Sequence, residues 1–103
     1  MSALPLAVRP EEWAIVRGIL QRLAAGREVW AFGSRARGTP KPYSDLDLAI
    51  LGDAPLPLDA LAALREAFTE SDLPYKVDVI DWAAVAPEFR RVIEAGHVAL
   101  DLK

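Results

Sequence analysis

The apolar positions of the chain alternate between helical and extended spacing. Between Pro10 and Ala25, Trp13, Val16, Leu20 and Leu23 recur as one stripe, widened by Ile15 and Ile19. Pro10 suits a first helical turn, Glu11 and Glu12 favour the positive end of the helix dipole, and Gly26 supplies a stop, which predicts a helix over 10–25. Glu28 to Phe32 condenses to a short apolar run without helix caps, predicting a strand covered on both faces. Ser34 to Arg37 fits one helical turn with Ser34 as N-cap, broken into a loop by Gly38, Pro40 and Pro42. From Asp45 to Leu51 the chain alternates again, so that Leu46, Leu48 and Ile50 share one face of a second strand while Asp45, Asp47 and Ala49 share the other.

The remainder repeats this grammar. A turn-rich connection over 52–57 leads to a helix capped by Asp59 and running to about Glu70, with Leu61, Leu64 and Phe68 on one side; Pro74 forbids its continuation. Tyr75 to Trp82 is rich in β-branched and aromatic residues and predicts a third strand with Asp78 in its middle. Pro87 opens a last helix through Ala95, with Phe89, Val92 and Ile93 inward and Gly96 as its stop, followed by a short strand within 97–102. The order predicts a small α/β fold, a mixed sheet of three or four strands flanked by helices, as a single domain over 1–103.

Composition narrows the partners. A net charge of −3 gives no global basic field, so extended nucleic acid is a poor ligand and any polyanion must be met locally, with a divalent cation. The chain has no cysteine, which removes disulfides and thiolate metal sites, and no apolar run long enough for a membrane span; a cytoplasmic protein is expected.

The chemistry concentrates between Gly33 and Asp47. Arg35, Arg37 and Lys41 precede two acids one residue apart, so the sign of charge reverses abruptly where a polyphosphate and its cation would meet. Gly33 lets a backbone approach a ligand, and Ser34 offers N–H groups and a hydroxyl to an anion, although a glycine turn with a serine cap is the plainer explanation of that pair alone. Asp45 and Asp47 on one strand face lie about 7 Å apart and repel unless a cation sits between them. Oxygen-only ligands favour Mg²⁺ or Mn²⁺ over zinc. Asp78, flanked by Val77 and Val79, either faces solvent on an edge or joins the other two acids; Asp81 lies on the opposite strand face and suits the cap of the segment starting at Trp82. Arg35 would contact phosphate if it points with Ser34, against a plainer reading as a solvated turn cation. His97 reads as a surface or capping imidazole, and Trp13, Trp30 and Trp82 as bulk, Trp82 alone lying near enough to Asp78 for base stacking.

Gly33-Ser34, ten intervening residues, Asp45-Leu46-Asp47 and then an apolar-flanked Asp78 together resemble the nucleotidyltransferase superfamily that includes DNA polymerase beta. The wording Gly-Ser-Arg-Ala-Arg-Gly and Ser-Asp-Leu-Asp-Leu in so short a chain is similar to its minimal prokaryotic members, and the likeness spans roughly 28–82. The resemblance implies that Gly33 and Ser34 hold nucleotide phosphates, that Asp45 and Asp47 bind Mg²⁺, and that Asp78 completes the triad and acts as base. It further implies a partner, since minimal members pair with a helical HEPN-domain ribonuclease toxin as antitoxins of a type VII-like system, some transferring AMP from ATP to a toxin tyrosine. A noncatalytic antitoxin that neutralises its partner by occlusion is the alternative.

Overall fold

The computed structural model describes residues 6–38 and 44–102. Among the described residues, four helices, a 3₁₀ turn and four strands follow in the order α1 (Pro10–Leu23), β1 (Val29–Phe32), α2 (Ser34–Arg37), β2 (Leu46–Ile50), α3 (Leu58–Thr69), β3 (Val77–Asp81), the 3₁₀ turn Trp82–Ala84, α4 (Pro87–Ala95) and β4 (Val98–Ala99). The predicted breakers Pro40 and Pro42 lie outside the described residues.

The strands form one mixed sheet in the order β3-β2-β1-β4. β1 runs antiparallel to β2 and to β4, whereas β2 and β3 are parallel and joined through α3. Period-two alternation decides which side chains meet the helices. Val29 and Ala31 of β1, Leu46, Leu48 and Ile50 of β2 and Val79 of β3 are fully buried and share a core with Val16, Ile19 and Leu20 of α1 and Leu64 and Phe68 of α3. Burial of these side chains supplies the main favourable contribution to the fold, roughly 1.5–3 kcal/mol each.

The opposite sheet face is covered differently. Trp30 stacks on His97 with ring centroids 3.7 Å apart and meets Trp82 edge-on at 5.2 Å, while Phe32 meets Phe89 of α4 edge-on at 5.9 Å. This aromatic cover accounts for the complete burial of Ala49, on the same face as Asp47. Of the three apolar α4 residues expected inward, only Ile93 is buried; Phe89 is 44% and Val92 64% exposed.

Local chemistry sets the ends. Pro10 occupies the first turn of α1, and Glu12 reaches back to accept from the Arg9 N–H at 3.0 Å. Asp59 sits in the first turn of α3 and Pro57 takes the cap position, so the predicted aspartate cap is displaced by two residues. Likewise Gly33, not Ser34, is the N-cap residue of α2. Asp81 does cap the 3₁₀ turn, accepting from the Ala83 N–H at 3.3 Å and from the Leu56 N–H at 2.8 Å. Those two bonds account for its near-complete burial.

Candidate active site

The site lies where β1 ends and β2 and β3 begin. Phe32, the last residue of β1, pairs with Asp47, and Asp47 pairs with Asp78 across the parallel ladder. Residues in register share a face, so the side chains of Phe32, Asp47 and Asp78 stand side by side on three adjacent strands, each about 4.8 Å from the next. Asp45 precedes β2 and is near enough to Asp47 for its charge to act on it.

Gly33 follows directly, with φ +78° and ψ −163°, a region that only glycine adopts without strain. A Cβ built there would collide with Oδ2 of Asp47. The backbone turn into α2 is therefore packed against the carboxylate, joining the two halves of the sequence motif in space. Ser34 opens α2, whose single turn is closed by the Arg37 N–H donating to Gly33 O at 3.1 Å.

The electrostatics of Asp47 reflect its company. Burial, and then the neighbouring Asp78 and Asp45 carboxylates, raise its pKa above the ordinary value, against a lowering from Arg37. Asp45 and Asp78 are exposed. Among the described residues, no three acidic or imidazole side chains close to cation-ligating distance. The donor chemistry nonetheless suits a hard divalent ion: a half-buried carboxylate whose charge is opposed by two others, all of them oxygen ligands.

Arg35 departs from expectation. It is not a solvated turn cation but is only 6% exposed, its Nε–H donating to Ser44 O at 2.9 Å and Nη1–H to Ala7 O at 3.0 Å. The guanidinium also lies 3.8 Å above the Tyr75 ring. It ties the end of the loop before β2, the N-terminal segment and the approach to β3 to α2. A side-chain count alone could not place it, because Arg35 and Arg37 lie two apart on a helical turn and point to different sides. Arg65 of α3 was also missed; it donates through Nη2 at 2.9 Å and Nε at 3.3 Å to Val79 O on β3. A lone cation between Leu64 and Glu66 in a helix carries no signal of that reach.

Residues 14–100 match the nucleotidyltransferase domain family. The chain belongs to that family. It is 50% identical over 102 residues, 99% of this chain and 90% of the relative, to a Haemophilus influenzae protein described as "Probable protein adenylyltransferase MntA". Two crystal structures share the nucleotidyltransferase fold. One, described as a toxin-antitoxin with AMP-PNP, aligns with a TM-score of 0.70 at 22% identity over 84% of this chain and 69% of that one. The other, a mutant of the toxin-antitoxin MntA-HpeT, aligns with a TM-score of 0.69 at 23% identity over 91% and 73%. No helix among the described residues is long and apolar enough to cross a membrane.

Proposed function

We propose that this nucleotidyltransferase is a protein adenylyltransferase that moves AMP from ATP to a tyrosine hydroxyl of a HEPN-type toxin and so acts as its antitoxin. The observation that carries the reading is the register of Asp47 with Asp78 beside the Gly33 turn, in a chain half identical to a relative named as a protein adenylyltransferase. The toxin as partner is supported by the family's fold neighbours, described as toxin-antitoxin structures.

In this reading Gly33 and Ser34 hold the phosphates of ATP, and Asp45, Asp47 and Asp78 hold Mg²⁺. The ion, once bound, supplies charge neutralisation at the phosphate oxygens. Asp78 faces the acceptor and accepts the hydroxyl proton. The tyrosine oxygen bonds to the α-phosphorus as the bond from that phosphorus to the pyrophosphate oxygen breaks, with entering and leaving oxygens in line. In this reading Arg35 steadies the loop before β2, its Nε–H and Nη1–H being given to the carbonyls of Ser44 and Ala7.

Co-expression with a HEPN-type toxin, followed by intact-mass measurement of that toxin, tests the reading. A gain of one adenylyl group with the wild type, absent with Asp45→Asn/Asp47→Asn, is expected. Transfer that persists in the double variant, or a wild type that protects without any mass change, overturns it.

A further inference from the structure

We infer that Phe89, in the first turn of α4, is the shelf on which the base of the bound nucleotide stacks. The inference rests on the adenylyl-transfer reading for the place of the phosphates, and on the fold for the shelf.

Among the described residues, the large apolar side chains left exposed are Leu58, Phe89 and Val92, and Phe89 is the one aromatic of the three. Its ring meets Phe32 edge-on at 5.9 Å. Phe32 is in register with Asp47, about 4.8 Å away on the same sheet face. A ring that is 44% exposed therefore stands one side chain removed from the central carboxylate of the site.

Stereochemistry gives the direction of the base. Entering and leaving oxygens lie on one line, and strand order sets that line: the Gly33 turn after β1, Asp47 on β2, Asp78 on β3. The ribose oxygen on the same phosphorus is equatorial, so the nucleoside departs at right angles to the line. Along the strands, one way leads off the end of the sheet. The other runs towards Ala49 and Trp30, the part of the face on which α4 packs, and Phe89 is the α4 side chain that reaches back to Phe32.

The other rings of this face are already engaged. Trp30 is stacked on His97. Trp82, at the far end of β3, lies about 13 Å along the chain from Asp78, meets Trp30 edge-on and has the Arg90 guanidinium 5.2 Å from its ring centroid. It lines a separate cleft with Arg27, Gly52 and Asp53. The stacking role that the sequence suggested for Trp82 thus passes to Phe89. Every base has a π-face, so such a shelf adds affinity without choosing among bases.

Calorimetry on the whole protein in Mg²⁺ tests the shelf with two probes, ATP and inorganic tripolyphosphate, which has no base. Phe89→Ala is expected to weaken ATP about tenfold or more and to leave tripolyphosphate unchanged, whereas Phe89→Trp keeps ATP at least as tight as in the wild type. GTP should lose about as much as ATP. Thermal melting of both variants guards against loss of the fold. Unchanged ATP affinity in Phe89→Ala, or an equal loss for both probes, overturns the shelf. So does a Phe89→Ala variant that loses affinity for a HEPN-type toxin alone, which would give this flank of α4 to the partner. The ATP-specific loss, together with a wild type that transfers no adenylyl group, would remove the transfer reading and keep the shelf.

Discussion

At the scale of single residues, Gly33 and Asp47 act as one unit. Gly33 is held at a φ that side chains resist and in a space that Asp47 Oδ2 occupies, so Gly33→Ala is expected to cost about 2–3 kcal/mol in urea denaturation and to abolish transfer. In an Asp47→Ala background the cost should fall, because the collision is gone and only the backbone strain remains; equal costs in both backgrounds would mean that the two do not touch. Asp47 also has a sign of its own. With its folded pKa raised by burial and by Asp78 and Asp45, it adds stability below its ordinary pKa of 3.8 that is lost as pH rises through the folded value. At neutral pH its charge is therefore a net cost, and Asp47→Asn should melt a few degrees above the wild type. Millimolar Mg²⁺ with ATP should raise the wild-type midpoint and leave the variant's unchanged, as differential scanning fluorimetry would read. The two acids and the glycine were legible in the sequence because alternation and spacing are one-dimensional properties. Arg35 was not, since its partners Ala7 and Ser44 lie 28 and 9 residues away and only folding brings them to one guanidinium. Arg35→Lys keeps the charge but cannot span both carbonyls, and a loss of about 2–3 kcal/mol is expected from the bonds it forfeits.

At the scale of elements, periodicity, apolar runs, caps and breakers located α1 to α4 and β1 to β4 among the described residues but could not say how much of each is covered. α1 and α3 bury the stripes that their spacing predicts, because a full sheet face lies beneath them. α4 has the same kind of spacing and buries only Ile93, because Trp30, Trp82 and His97 already occupy much of the sheet face it packs on. Ile93→Ala is accordingly expected to destabilise by about 2–4 kcal/mol, and Val92→Ser by no more than about 0.5 kcal/mol. Chemical denaturation of the two variants checks this, and comparable losses would restore Val92 to the core. Capping shows the same limit at smaller range. Asp81 caps as its position foretold, whereas the caps assigned to Ser34 and Asp59 moved to Gly33 and Pro57. The choice among adjacent candidates depends on the direction from which the chain enters the helix, which the flanking residues alone do not encode.

At the scale of the molecule, the site depends on a contact that no single element contains. Tyr75, only 9% exposed and just ahead of β3, lies under the Arg35 guanidinium of α2, and its hydroxyl donates to Glu12 of α1 at 3.3 Å. Glu12 in turn accepts from the Arg9 N–H, so one carboxylate serves both the start of α1 and the approach to β3. Burial first, and then the Glu12 charge and its hydrogen bond, push the Tyr75 hydroxyl up from 10.0 to about 12, against a lowering from Arg35. The sign follows from the raised folded value. Below pH 10 the protonated phenol contributes its full stabilisation; as pH rises from 10 towards 12 the unfolded chain loses its proton while the folded chain keeps it, and stability falls. The wild type should therefore lose up to about 2 kcal/mol across that window beyond whatever a Tyr75→Phe variant loses, since the variant keeps every other titrating group. Equilibrium urea titrations of both proteins at closely spaced pH values read the difference directly. Parallel slopes would mean that Tyr75 is solvated in solution and that α1 and β3 are not joined through Glu12. A divergence confined to the alkaline window would place the tie between the N-terminal helix and the strand that carries Asp78 in this one phenol.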